Sequence, residues 1–538
     1  YGKPVADWNN RDLVNYWLLQ AYVRGTPALR SPAFTQLTTS RLVYTGNTAR
    51  LTGSPGFFDL VIAKSGQLWM IDPQDLLFRW FPLLIALLIG GLTYRLVSQI
   101  KPAKGVNMAA LWSVFFVYFG GSLGWMISLY KNGDFGGESK FWSMQSISTL
   151  LNPPFAMSLV LLLAGYLIFL EIQQHRRLVW RLIIGLVLLW GVVIEFKAYA
   201  GVLAIGALWL VALEQLIRQR DFKLLIAAGL SSLVSAVVFL PNNAGGSGLF
   251  VWHPGWFIST MIEFPDRLGW QRVLFTLNSG VWYKVWAVYI AGTAVFIIGN
   301  WGSRILSLTA WKTWWQQRWL MWVTLLGVLA TMLLIQKGTN WNTIQFFYYS
   351  QFIAGIMAGI GMASILKWGR FKWLKILIGI AVVLLTIPTT FDSLRGYLPG
   401  NPPSVVTKAE AEVLTKLADQ PRGVVLTLPY DYDARKIYQA PVPMFAYERT
   451  AYVSAFSGQP TVIEDQVNLD ILGIDYKGRL NDQIDAFRNA SMSKQILDKY
   501  QVKYVYLVKS QASTVNIDAL GLESIFENQE AAVYRVRE

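Results

Sequence analysis

Apolar residues in this chain gather into long runs separated by short polar stretches, instead of alternating with polar residues as in a half-buried strand. Ten such runs fall at about 78–98, 107–130, 155–173, 178–195, 199–217, 223–241, 285–301, 319–336, 346–366 and 373–390. Each is long enough, or nearly so, for a helix across a hydrocarbon core of about 30 Å, which takes roughly 20 residues. Ahead of them, Leu13, Val14, Tyr16, Trp17, Leu18, Ala21 and Tyr22 recur at helical spacing, predicting an amphipathic helix over 10–23 that lies on the membrane surface and stops at Gly25 and Pro27. A second amphipathic piece, with Phe57, Phe58, Leu60, Val61 and Trp69, leads through Asp72-Pro-Gln-Asp75 into the first run. The pattern changes after about residue 404. There 423–428, 503–508 and 531–535 read as strands and 493–500 as a helix.

The expected fold is therefore a polytopic α-helical membrane protein with ten visible spans and a small soluble α/β C-terminal domain. It divides into a loop region over 1–77 with amphipathic helices, a transmembrane domain over 78–390 and an α/β domain over 391–538. Composition supports the membrane assignment: 54% of residues are apolar and 15% charged, with 24 tryptophans, against about 25% charged in a soluble domain. Absent cysteine excludes a disulfide framework, thiol catalysis and thiolate metal sites. The net charge of +15 belongs to the apolar part and not to a polar domain, so nucleic acid is not an expected partner.

Loop cations set the orientation. One set of connections carries Arg95, Lys101, Lys104, Arg176, Arg177, Arg181, Arg218, Arg220, Lys223, Arg304, Lys312, Arg318, Lys367, Arg370, Lys372 and Lys375, and is placed inside. The opposite set carries Lys131, Lys140, Lys197, Arg267, Arg272, Lys284 and Lys337 over more residues. Residues 1–77, the loops 130–154 and 241–284, and everything after about Phe391 then lie outside. The chain starts at Tyr1, and an external N-terminal segment needs an exporting element. A first span missing from this chain is favoured over a removed signal sequence.

Charged groups near the membrane interior are costly and are functional candidates. Glu195-Phe-Lys197-Ala-Tyr199 sits at the tight external turn between the fourth and fifth runs. Lys197 there suits the phosphate of a lipid-linked substrate; the structural alternative is a snorkelling lysine paired with Glu195. Asp7 and Asp12 are the first external acids, suited to act as general base on an acceptor hydroxyl. On the residues alone, capping the helix that follows is the stronger role for Asp7, and solvation in its first turn for Asp12. His253 follows a flexible Asn242–Gly248 stretch and is either a phosphate partner or plain loop. Gln336, Lys337, Asn340, Asn342 and Gln345 cluster at the external turn before Phe346-Phe-Tyr-Tyr349, as part of a site or as an ordinary turn ahead of an aromatic belt. The spacing of Glu138 and Lys140 specifies nothing. Asp431-Tyr-Asp433 reads as a surface loop, and no Walker motif, dinucleotide fingerprint, HExxH pair or nucleophile elbow is present.

The acidic N-terminal segment with Asp7 and Asp12, Asn152-Pro-Pro-Phe155, Glu195-Phe-Lys-Ala-Tyr199 and Asn342-Thr-Ile-Gln-Phe-Phe-Tyr-Tyr349 together resemble the GT-C superfamily of integral membrane glycosyltransferases, in particular bacterial members with a soluble C-terminal tail. The resemblance implies a polyprenyl-phosphate-linked sugar donor and an acidic catalytic residue in the first external loop, where Asp7 fits best and Asp12 second. Lys197, with His253 or Lys337, would stabilise the departing lipid phosphate, and Glu195, Tyr199, Asn340 and Gln345 would line the substrate site. The tail would cover the site or bind the acceptor, which is a glycan, lipid or protein of the cell envelope. No cofactor is demanded, although a divalent cation such as Mg or Mn fits the scheme. A transporter or lipid-linked glycan flippase is the competing class, but it predicts two related halves and broken helices near the midplane. A noncatalytic envelope assembly protein is the third reading.

Overall fold

The computed structural model describes residues 57–71, 76–103, 105–175, 177–240, 250–337, 339–368, 371–397, 404–430, 435–439, 441–447, 451–464, 466, 475–511 and 520–537. The expected helix over 10–23, Asp7, Asp12, the Asn242–Gly248 stretch and the Asp431/Asp433 pair lie outside them. The chain divides into two compact units: residues 82–240 with 247–398, and residues 1–81 with 241–246 and 399–538.

The first unit is a helical bundle. Its helices are α2 (Phe81–Ile100), α3 (Met108–Phe119), α4 (Gly124–Asn132), α5 (Gln145–Leu151), α6 (Pro153–Gln174), α7 (Trp180–Phe196), α8 (Ala198–Gln219), α9 (Lys223–Phe239), α10 (Trp256–Glu263), α11 (Gln271–Leu277), α12 (Trp282–Trp301), α13 (Trp311–Gln316), α14 (Arg318–Leu333), α15 (Ile344–Trp368) and α16 (Lys372–Tyr397). A helix α1 (Phe57–Trp69), on the second amphipathic piece, precedes them. Among the described residues, six helices are long and apolar enough to cross a membrane: α2, α6, α8, the continuous 282–316 stretch, α15 and α16. A bent pair, α3 with α4, makes this up to seven. The 107–130 run is broken into α3 and α4, bent by 44°. The other three runs form helices of 17, 17 and 16 residues, namely α7, α9 and α14.

Helix α15 is the centre, because its apolar residues point in every direction and such a helix must be enclosed. Glycine lets its neighbours approach: a Cβ on Gly359 would lie 2.1 Å from the backbone nitrogen of Ser113 on α3. Away from that contact, Trp190 of α7 stacks on Trp319 of α14 at 4.3 Å, and Trp319 stacks on Tyr166 of α6 at 5.0 Å. Offset rings of this kind add to their area burial.

The two sets of connections separate to different ends. At one end Arg318 pairs with Glu214, Tyr166 donates to Gln317 and Lys223 donates to the carbonyl of His175. At the other end, segment 131–142 meets 266–268, segment 250–255 meets 332–336, and Tyr199 meets Gln336. Arg304 is a correction. Counted from sequence among the inner loop cations, it is instead fully buried within the 282–316 stretch, donating to the carbonyl of Gly120 and, at 2.8 Å, to Gln145 Oε1. A 3-10 segment (Gly302–Ala310) continues the helix past the point where the apolar pattern stops.

After β1 (Phe250–Trp252) and β2 (Leu334–Gln336) in the bundle, the second unit carries strands β3 (Ser404–Val405), β4 (Val424–Thr427), β5 (Val442–Pro443), β6 (Val502–Val508), β7 (Leu522–Glu527) and β8 (Ala531–Val536). Four form a sheet in the order β4-β6-β8-β7, with β4 and β6 parallel and the other pairs antiparallel. Alternate residues enter two cores. Val425, Tyr504, Tyr506 and Val533 face helices α17 (Lys408–Ala418) and α18 (Tyr452–Ser457). Leu426, Val505, Leu507 and Tyr534 face α19 (Lys477–Arg488) and α20 (Ala490–Lys499). β7, α17 and α19 were not anticipated: β7 offers no clean alternation, and α19 is polar apart from a narrow stripe around Ala486 and Phe487.

The Gly359 contact is testable. Gly359→Ala should cost roughly 1–3 kcal/mol through overpacking, read as a lower unfolding temperature in nanodiscs. Gly229→Ala on α9, where nothing lies within 4 Å, should be neutral or slightly stabilising.

Candidate functional site

The site is built around a one-residue break. Lys197 adopts extended backbone angles (φ −157°, ψ 113°), so α7 ends and α8 begins on the same residue. Its N–H donates to Val193 and its carbonyl accepts from Ala200. The Lys197 ammonium stands 5.9 Å from the centre of the Tyr199 ring. Tyr199 Oη donates to Gln336 Oε1 at 2.7 Å, and Asn342 Nδ2 donates to the same oxygen at 2.9 Å. Gln345 Nε2 in turn donates to Asn342 Oδ1.

Gln336 is the last residue of β2 (Leu334–Gln336), which pairs antiparallel with β1 (Phe250–Trp252). Phe250 and Tyr199 both pack on Phe346 at the start of α15, at 5.9 and 4.8 Å. The next residues of α15 reach α6: Phe155 meets Tyr349 at 5.1 Å and Tyr348 at 5.8 Å, and Tyr349 Oη shares a hydrogen bond with Ser158. Three of the sequence motifs, 152–155, 195–199 and 342–349, thus meet at one end of the bundle.

Of the other expected residues, His253 is exposed at the turn after β1, where its N–H donates to Leu333. Lys337 and Asn340 are exposed on the turn after β2. Glu195 is half-buried in the last turn of α7.

Cations of the 131–142 and 266–268 segments gather at the same end of the bundle. Arg267 is half-buried: its guanidinium lies 4.3 Å from the Trp142 ring centre, donates to Ser139 Oγ and pairs with Asp266 at 3.1 Å, while its buried Nε has no hydrogen-bond partner. Lys140 donates to the carbonyl of Asp266 and Lys131 to that of Leu268. Burial lowers the Lys140 pKa, and the charges of Lys131 and Arg267 lower it further, against Asp266 and Asp134. Burial likewise lowers that of Arg267. Tyr348 interacts electrostatically with both Arg267 and Tyr199, linking the two halves. Trp142 holds the left-handed φ of 78°, a strained setting for a bulky residue that is common at functional sites.

Glu138, whose spacing had specified nothing, is buried in the same loop with Oε1 unpartnered. Burial raises its pKa to about 8, opposed by hydrogen bonds from Ser393 and the Ile147 backbone and by the charge of Arg304. At neutral pH it is therefore a protonated acid. Among the described residues no three acids or histidines converge as metal ligands.

No family model matches the chain, and no curated protein matches it. Solved structures do. The Archaeoglobus fulgidus oligosaccharyltransferase, tethered to an acceptor peptide containing the NVT sequon, aligns with all of this chain and 71% of its own, at 11% identity and a TM-score of 0.50. The chain shares the fold of that protein. At such identity the likeness concerns the fold alone. A structure of that enzyme, AglB, with an inhibitory peptide and a dolichol-phosphate aligns over 94% of this chain at 12% identity and a TM-score of 0.49, and this chain spans 66% of its length. ArnT from Cupriavidus metallidurans bound to undecaprenyl phosphate aligns over 98% of this chain and 96% of its own, at 13% identity and a TM-score of 0.38. The groups described above come from connections and helix ends alike: Tyr199 from the start of α8, Glu195 from the end of α7 and Gln345 from the start of α15, with Lys140 and Arg267 from the connections.

Glu138 sets a pH dependence. Its folded-state pKa of about 8 lies above the unfolded value near 4.3, so its contribution is fully present below the unfolded pKa and is lost as pH rises through about 8. Unfolding temperature in nanodiscs should fall across that window, by about 1 kcal/mol of stability per pH unit. Glu138→Gln should remove this component of the slope.

Proposed function

We propose that the protein transfers a sugar from a polyprenyl-phosphate-linked donor to a glycan, lipid or protein acceptor at the extracytoplasmic face of the cell membrane. The observation that carries this reading is the crowding of Lys131, Lys140 and Arg267 at the same end of the bundle as Lys197, with a buried Arg267 Nε left unpaired. Lys140 and Arg267, whose charged forms are disfavoured first by burial, gain most from an anion, and a phosphate is the anion that a lipid-linked donor brings. An apolar groove lined by Pro82, Ile85 and Ile89 of α2, Tyr118 of α3, and Thr149 and Pro153 supports a prenyl chain as its tenant. It touches the polar layer, since Gln145 donates to Thr149 and accepts from Arg304.

In this scheme Asp7, or Asp12 in its place, removes the proton from an acceptor hydroxyl as its oxygen attacks the anomeric carbon. The bond from that carbon to the phosphate oxygen breaks, and the electron pair leaves with the lipid phosphate. Lys197 and Arg267 offset the developing negative charge in a poorly hydrated site. Tyr199, Gln336, Asn342 and Gln345 hold the sugar's hydroxyls, with Glu195, Asn340, His253 and Lys337 at the margin. Outside this bundle, residues 1–77 and 391–538 are assigned to the same outer face.

Incubating the protein in nanodiscs with polyprenyl-phosphate sugars tests the reading, with released lipid phosphate and glycosylated acceptor as products. Lys197→Ala and Arg267→Ala should each lower kcat by about 10²–10³-fold with unchanged expression, and Asp7→Asn should abolish transfer. Sugar-lipid movement without a covalent product would instead identify a transporter.

A further inference from the structure

The end of the bundle opposite Tyr199 and Gln336 carries charges that reach in from the membrane surface. Helix α14 has 16 residues, or about 24 Å, and falls short of a hydrocarbon core of about 30 Å. It also starts inside its neighbours: Gln317, just ahead of it, accepts from Tyr166, which lies eight residues before the end of α6. Arg318 at the first position of α14 is therefore drawn in from the interface. Its partner Glu214 lies five residues before the end of α8. Charged groups so placed are costly, and by default they mark a site.

The charges there do not balance. Arg318 and Arg218 approach the same Oε1 of Glu214, each at 3.4 Å, and among the described residues neither has another acidic partner. One carboxylate thus meets two guanidiniums, and most of each planar fork stays open; that fork suits the oxygens of a phosphate. The surroundings face lipid. Arg318 lies 4.4 Å from the centre of the Trp315 ring, and Trp315 and Ile217 are exposed. A free phosphate would leave those apolar side chains uncovered, and a zwitterionic headgroup would bring a cation back with its anion. An anionic lipid supplies both a net negative charge and a hydrocarbon chain, and basic pockets between spanning helices take such headgroups. We propose that Arg218, Arg318 and Glu214 form a binding site for an anionic glycerophospholipid, with its phosphate on the two guanidiniums and an acyl chain along Trp315 and Ile217. Glu214 holds the two forks together and, by its own charge, limits the affinity. The site requires nothing of the transfer reaction, and its occupancy is measured apart from turnover.

The test uses the full chain in detergent micelles, with native mass spectrometry reading the retention of phosphatidylglycerol against phosphatidylcholine and inorganic phosphate. Phosphatidylglycerol should be retained in preference to phosphatidylcholine, and equimolar phosphate should not displace it. Arg318→Gln and Arg218→Gln should each weaken its binding about fivefold, the effect of one cation beside an anionic lipid. The Arg218 side chain is 65% exposed, so its variant keeps the test decisive if Arg318→Gln fails to fold. Glu214→Gln, which removes the competing carboxylate, should strengthen binding by a similar factor. Lys375→Gln takes the same charge from α16 and should change nothing. Equal retention of the two lipids, displacement by inorganic phosphate, unaltered binding in the folded arginine variants, an equal effect of Lys375→Gln, or weaker binding in a folded Glu214→Gln variant would overturn the proposal.

Discussion

The bond from Tyr199 Oη to Gln336 Oε1 is the constraint around which one end of the bundle is organised. A polar group in an apolar helical bundle has no water to fall back on, so it must meet another polar group of the protein. Tyr199 belongs to the start of α8 and Gln336 to the end of β2, and each is buried. Satisfying both fixes the α7/α8 break against the β1/β2 pair. Asn342 and Gln345 extend the same chain of amides onto the first turn of α15. With the break pinned, the Lys197 ammonium has little choice but to stand over the Tyr199 ring. A cation is thereby held at that end of the bundle.

A second polar layer lies along α15 and explains why the bundle tolerates a buried guanidinium. Arg304 is matched by the Gly120 carbonyl and Gln145. Close by, Asn300 donates to Phe141 O and accepts from Ser143 N and from Gln351 through its own carbonyl. Ser146 and Thr390 share a hydrogen bond, as do Ser303 and Thr386. Such a layer holds the 138–146 loop in register with α15 and α16, and that loop bears Lys140 and Trp142. The Glu138 carboxyl completes it in neutral form, since ionising there would add a negative charge in a poorly hydrated place. The network thus couples membrane packing to the position of the Arg267 group.

Sequence periodicity revealed the long apolar helices among the described residues, because a run of apolar residues has one stable outcome in hydrocarbon; the short connecting helices, such as α10 and α11, carry no run of that length. The break at Lys197 was also legible, from a charged triplet between two runs. Arg304 was not: loop cations and buried cations look alike in one dimension, and only the 3-10 continuation of α12 separates them. Arg267 and Glu138 were passed over for a related reason. Their significance comes from burial and from neighbours more than a hundred residues away, as in the Arg267–Ser139 contact, and no local spacing encodes that. A left-handed Trp142 carries no sequence signal at all. In the tail, the strands read correctly where they alternate into two cores, and β7 escaped because its residues are only partly buried.

The central claim is that the groups from 131–142, 195–199, 250–268 and 336–345 share one outward-facing end. Because the native chain has no cysteine, single cysteines report position without background. In sealed cells treated with a membrane-impermeant maleimide, His253→Cys and Lys337→Cys should label before permeabilisation, and Lys312→Cys only after it. Labelling of Lys312→Cys from outside, or of His253→Cys and Lys337→Cys only from within, would contradict the account.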